Sequence, residues 1–298
     1  MTEQYRAFPP GRGHLKIPVS SRRAARAGLA MYAPCRPKGV LARWVAWRIV
    51  GVLGAGALPG HPTTWKPPMS EAMWAALVTE WADVAGRFDG VAVHERLQAS
   101  RSGFAVMLLK EGDPLAFVKV REGDGTSIDN EFRALGAVAN HEPGAFVVPR
   151  PVTTGEVGGW HYLMTSSLAP ELHRMPVHPP LGRVLEDVRN GLSSLGRPTD
   201  TPAHWEPMHG DFTPWNLREC RGGSLFLIDW EDAGWAPPGA DEVLYRAVEA
   251  MLTGKHRVDA GSREARTFWV ERLRGRQVAT ADDQDAGVVE ALLGLLDD

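Results

Sequence analysis

Cysteine is nearly absent: Cys35 and Cys220 are the only two in 298 residues, and they lie far apart. This excludes a disulfide framework and any cysteine-based metal spacing. It points to a reducing, cytoplasmic setting. Long apolar runs are missing too. The best stretch, Val40 to Leu53, is short and contains Arg43 and Arg48, which argues against a transmembrane span. The start of the chain is polar and proline-rich, unlike a secretory leader. There is no internal repeat, and no nucleic-acid recognition motif accompanies the basic residues, so a nucleic-acid partner is not expected. The apolar content of 44% and charged content of 23% are ordinary for a globular protein, and the length suffices for a large core or two lobes.

Charge is unevenly spread. The net charge is −3, yet residues 1–70 hold 11 Lys and Arg against the single acid Glu3. The remainder holds 22 basic and 35 acidic residues. The Pro-rich stretch Pro59 to Pro68 bounds the basic segment. Within it, Val40, Trp44 and Trp47 recur at helical spacing, so Val40–Leu53 reads as a basic amphipathic helix. Gly51 takes the next place on that stripe. The favoured reading packs this segment on the acidic body of its own chain. Contact of residues 1–58 with an anionic membrane surface stands as the alternative.

Most of the chemistry is concentrated between Met208 and Glu231. Asn216–Cys220 and Ser224–Ile228 read as two short strands, with Arg221-Gly222-Gly223 as a turn. A two-residue turn on Gly222-Gly223 puts Asn216 opposite Asp229. Opposed residues have Cβ atoms roughly 5 Å apart. An amide oxygen and a carboxylate at that spacing, with Asp211 five residues before the amide, suit a hard cation such as Mg²⁺ bound with phosphates.

These residues carry a resemblance. His209-Gly210-Asp211-x-x-x-x-Asn216, followed by Leu227-Ile228-Asp229-Trp230-Glu231, resembles the aminoglycoside phosphotransferase and choline kinase families. Those are small-molecule kinases with a protein-kinase-like fold. The resemblance implies an α+β, two-lobed fold, with an N-terminal antiparallel sheet lobe and a mainly helical C-terminal lobe. It makes Asp211 the catalytic carboxylate that accepts the proton of an acceptor hydroxyl. It makes Asn216 and Asp229 the ligands of Mg²⁺, and His209 a brace for the catalytic loop. Protein kinases commonly carry Arg where this chain has Gly210, and Phe-Gly where it has Trp230-Glu231. Both departures fit the small-molecule kinases.

The same resemblance assigns residues upstream. Pro114–Val120 reads as an apolar strand interrupted by Lys119, whose burial calls for a partner. Ser127–Leu135 reads as a capped helix with Glu131 in its first turns. Lys119 is then the lysine that meets the α- and β-phosphates of ATP or GTP, and Glu131 the acid that holds it. The loop Gln98–Gly103 joins the strands Val91–Leu97 and Gly103–Lys110, where the family has its phosphate-covering loop. Ser100, Ser102 and Gly103 are its candidates, although only Gly103 is a glycine. Phe146–Val152 and Trp160–Met164 read as two further strands around a turn at Gly155–Gly159. Met164 and Ser166 then belong to the hinge whose backbone meets the nucleotide base.

Further helices are expected over Ser70–Val84, Leu181–Leu195, Asp241–Leu252, Ser262–Leu273 and Asp285–Leu296. Asp241 is read as a cap or brace. The expected division is a basic extension over residues 1–69, an N-lobe over 70–165 and a C-lobe over 166–298. The activity implied is Mg²⁺-dependent transfer of a γ-phosphoryl group to a hydroxyl of an aminoglycoside, amino alcohol or sugar. Glu231 and Asp232, just past the metal site, are candidates for recognising a cationic acceptor. A kinase acting on a glycan precursor near a membrane is one rival. A catalytically silent nucleotide-binding module is another, opposed by the joint presence of Lys119, Asp211, Asn216 and Asp229.

Overall fold

The computed structural model describes residues 3–34, 37–95, 103–255, 258, 260–279 and 286–297. They form two compact units. The first takes in the chain up to residue 95, residues 103–128 and residues 151–173. The second takes in residues 129–150 and the described residues from 174 on.

The first unit is built on one eight-stranded antiparallel sheet. In chain order its strands are β1 (Gln4–Phe8), β2 (Leu15–Pro18), β3 (Pro62–Thr64), β4 (Gly90–Glu95), β5 (Gly103–Lys110), β6 (Asp113–Glu122), β7 (Pro151–Val157) and β8 (Trp160–Thr165). Their spatial order is β3-β1-β2-β4-β5-β6-β8-β7. The basic N-terminal segment therefore supplies three strands of the sheet, through the pairs Leu15↔His94 and Lys16↔Val93. It also supplies helices α1 (Arg22–Ala30) and α2 (Pro37–Leu53). The strand expected over Phe146–Val152 is displaced: β7 starts at Pro151 and runs through Gly155 to Val157. Val147 instead makes an isolated bridge to Phe226 in the second unit.

Helix α3 (Glu71–Ala85) starts at Ser70, whose hydroxyl accepts from the Met73 N–H, and stops at Gly86 with φ 86°. It lays Leu77 and Trp81 on the sheet, against Val93, Val106, Val118, Tyr162 and Met164. Both side chains are fully buried, which contributes on the order of 2 kcal/mol each. The Tyr162 hydroxyl donates to Glu80 of this helix at 2.9 Å. Helix α1 carries alanines where it meets the strands: Ala24 and Ala27 pack on Ala92, Met107 and Leu109. Small side chains allow the helix to lie close. A Cβ on Gly28 would come within 3.3 Å of Ala92.

The second unit is mainly helical. Helix α4 (Thr126–His141) enters it from the first unit, and α5 (Leu181–Leu192), α6 (Ala240–Thr253), α7 (Arg263–Ala279) and α8 (Ala286–Leu296) follow. The last three pack around fully buried Trp269, with Leu244, Val248, Leu273, Leu292 and Leu296. The Trp269 indole N–H donates to the Ala240 carbonyl at 2.6 Å, so the buried indole is satisfied. Two short ladders complete the unit: β9 (Glu206–Met208) with β12 (Gly234–Ala236), and β10 (Leu217–Glu219) with β11 (Leu225–Leu227).

Candidate active site

The two short ladders are nested. Met208 of β9 pairs with Gly234 of β12. Leu217 of β10 pairs with Leu227 of β11. Residues 209–216 and 228–233 are left as two facing loops, clamped at both ends, and every polar residue of the sequence motif falls in them. The local sequence explains the clamps: Leu217, Leu225 and Leu227 are buried apolar anchors, and glycines close the turn.

That turn corrects an expectation. The observed pairs are Leu217↔Leu227, Arg218↔Phe226 and Glu219↔Leu225. The connection therefore has three residues, Arg221-Gly222-Gly223, with Gly223 at φ 83° and its N–H on the Cys220 carbonyl. The register moves by one, and Asn216 faces Ile228, whose N–H donates to the Asn216 carbonyl at 3.1 Å. Asp229 lies just beyond the ladder with φ 71°, a left-handed conformation that Asp tolerates at modest cost.

His209 is fully buried. Its Nε2 meets the Ile228 carbonyl at 3.1 Å and its Nδ1 meets the Asp211 N–H at 3.2 Å. With Nε2 donating and Nδ1 accepting, the ring is neutral and ties both loops together. It lies against Trp230, with centroids 4.4 Å apart. Asp241, at the start of α6, accepts from the His209 N–H at 2.6 Å and the Gly210 N–H at 3.1 Å. The expected brace is therefore seen. Burial pushes the Asp241 carboxyl up to about 6, against the lowering effect of those two hydrogen bonds.

Asn216 spends both amide hydrogens on Asp211, reaching its carbonyl at 2.9 Å and its Oδ2 at 2.8 Å. The Asn216 Oδ1 is then the atom suited to a cation. Burial raises the Asp211 carboxyl to about 7; the Asp229 carboxylate adds to this, and Arg276 and Asn216 oppose it. A carboxylate titrating near neutrality suits a group that must take a proton. Asp211, Asn216 and Asp229 thus belong to one electrostatic cluster in the second unit.

Glu131 is buried on α4, and ligand atoms of Glu131, Asp229 and Glu231 lie within 4.8 Å of one another. Three close carboxylates form an all-oxygen donor set, which fits a hard divalent cation. Asn130, one residue before, donates through Nδ2 to the carbonyls of Glu231 at 2.9 Å and Ala233 at 2.8 Å. Sequence reading passed over Asn130, because an asparagine inside a helix gives no sign of partners 100 residues away.

Lys119 is half-buried in the middle of β6, between Ala105 of β5 and Leu163 of β8. Gly103 opens β5. A Cβ there would stand 2.4 Å from the Val120 carbonyl oxygen, so close strand approach explains this glycine. Met164 is fully buried in β8 and its side chain belongs to the sheet core. Ser166 follows the end of β8. Ser100 and Ser102 lie outside the described residues.

The pairing of Asp232 corrects another expectation. Its Oδ1 accepts from Arg272 at 2.9 Å and its Oδ2 from Arg276 at 2.8 Å, both on α7. Glu231 is buried beside Asp229. Neither acid is set out to receive a cationic acceptor.

The profile of the phosphotransferase enzyme family matches residues 196–248, which include both loops. No curated protein matches the chain significantly in sequence. Among solved structures, the GDP complex of aminoglycoside 2'-phosphotransferase-IIIa is 14% identical, with a TM-score of 0.50 over 76% of this chain and 97% of that one. An aminoglycoside-3'-phosphotransferase of type VIII is 19% identical, with a TM-score of 0.41 over 75% and 98%. An amicoumacin kinase in complex with AMP-PNP and Ca²⁺ is 12% identical, with a TM-score of 0.40 over 76% and 85%. In its motif segment and in its fold, an eight-stranded antiparallel sheet with a mainly helical second unit, this chain resembles the phosphotransferase enzyme family of small-molecule kinases.

Proposed function

We propose that this protein transfers the γ-phosphoryl group of ATP or GTP to a hydroxyl of a small molecule. The observation that carries the reading is the cluster of Asp211, Asn216 and Asp229 in two loops clamped by paired strands. In the step proposed, the acceptor oxygen bonds to the γ-phosphorus as the bond to the β-phosphate oxygen breaks. Asp211 takes the hydroxyl proton, and the nucleoside diphosphate leaves. Asn216 and Asp229 would hold Mg²⁺, which neutralises charge on the phosphates when bound. Lys119 is assigned to the α- and β-phosphates, with Glu131 as its supporting acid. Gly103, Met164 and Ser166 are assigned to the nucleotide.

Asp232 is engaged by the guanidiniums of Arg272 and Arg276, and Arg276 also acts on Asp211. These cations offset part of the negative charge that Asp211, Asp229 and Asp232 bring together. The testing experiment is a phosphate-transfer screen with Mg·ATP and Mg·GTP across amino sugars, amino alcohols, neutral sugars and sugar acids. Transfer to at least one of these hydroxyl compounds is expected. No transfer or hydrolysis with any combination would overturn the kinase reading.

A further inference from the structure

Helix α2 packs the wrong way round for a surface helix. Its packed face is Arg43, Ala46 and Val50. Arg43 is buried and donates to the carbonyls of Tyr32 and His173. The opposite face is apolar and exposed. Leu41 is 62% exposed, Trp44 48%, Val52 65% and Leu53 68%, and Val40 and Val45 are exposed beside them. Among the described residues, six of the ten exposed large hydrophobic side chains lie on this single helix; the other four are scattered valines. The stripe through Val40 and Trp44 is thus the outer face.

The surroundings of this face are basic. Helix α2 contains no acidic residue. The Arg48 guanidinium lies 5.1 Å from the centre of the Trp44 ring, and both are exposed. Arg26 of α1 crosses the helix at Gly51, where a Cβ would stand 2.1 Å from its Nη2, and covers Trp47 at 5.6 Å. Lys38 is exposed at the helix start.

We propose that this face of α2 docks on an anionic lipid surface. Exposed Trp and Leu beside Arg and Lys are the chemistry of the lipid headgroup boundary: apolar side chains enter it and cations meet the phosphates. The helix would lie flat, since no described helix is long and apolar enough to cross a membrane. A second copy of the chain fits less well, because a twofold contact here would bring basic face to basic face. The inference does not depend on the kinase reading.

The test is co-sedimentation of the full chain with vesicles of phosphatidylcholine alone and of phosphatidylcholine with phosphatidylglycerol. Binding is expected to the anionic vesicles, and to weaken as salt approaches about 1 M. The double variant Leu41→Ser, Trp44→Ser should bind at least about tenfold more weakly, and Arg48→Glu should weaken binding too. These side chains are exposed, so an unchanged melting temperature is the expected control. Three results would overturn the proposal: no binding to anionic vesicles, variants that bind like the wild type, or a dimer in solution that the double variant dissociates.

Discussion

Gly210 approaches the backbone of Asp232 so closely that a Cβ at position 210 would stand 1.9 Å from the Asp232 carbonyl oxygen. The φ of Gly210 is 82°, which L side chains rarely adopt. Asp232 meanwhile holds Arg272 and Arg276 through its carboxylate. One residue therefore seats the 209–216 loop with its main chain and anchors to α7 with its side chain.

Gly210→Ala should force these loops apart. The expected cost is about 2 kcal/mol of stability, from strain at a left-handed position and backbone overlap. Turnover should fall further than stability implies, because Asp211 is the next residue. Thermal melting and steady-state rates check this. An alanine variant as stable and as active as the wild type would contradict the described contact.

The Asp241 carboxyl titrates near 6 in the folded chain, against an ordinary value of 3.8. The folded state thus binds more protons than the unfolded state between those values. This group's favourable contribution is complete below about pH 4 and is lost as pH rises through about 6. Asp241→Asn cannot titrate, and it loses an acceptor for a buried N–H. The variant should be less stable than the wild type at pH 4, by about 1–3 kcal/mol. The gap should narrow towards pH 7. Melting curves across this range check the sign, and a gap that widens with pH would show it reversed.

Removal of residues 1–68 should destabilise the first unit. It takes away β1, β2, β3, α1 and α2, strips the partner of β4, and deletes Leu15 and Ile17 from the core. An exposed β4 edge favours aggregation. The expected result is a large drop in melting temperature or insoluble protein. A truncated chain that melts like the full one would contradict the sheet order.

The legible parts of the fold were those with strong local signals. Helix α3 shows its Ser70 cap and Gly86 stop in the sequence, and its bounds fell within a residue of expectation. The strands around Lys119 were visible as apolar runs. The first 34 residues were not, because β2 has four residues and ends at Pro18, and α1 meets the sheet with alanines rather than a large apolar stripe. The site was legible because its motif residues sit within 24 positions, from Met208 to Glu231. What escaped was register and long-range contact. Choosing a two-residue over a three-residue turn displaced every pair by one, and the partners of Asn130 and Asp232 lie far away in the chain.

The most direct measurement compares Mg·ATP affinity and turnover in Asp211→Asn and Asp229→Asn. Asp211 is assigned to the acceptor proton, so its variant should bind Mg·ATP almost normally while turnover falls by about 10²-fold or more. Asp229 is assigned to the metal, so its variant should stay folded and lose Mg²⁺-dependent nucleotide binding. Calorimetry with single-turnover kinetics reads both. The account predicts this separation of binding from chemistry. An Asp211→Asn chain with wild-type turnover, or a folded Asp229→Asn chain with unchanged Mg·ATP affinity, would contradict it.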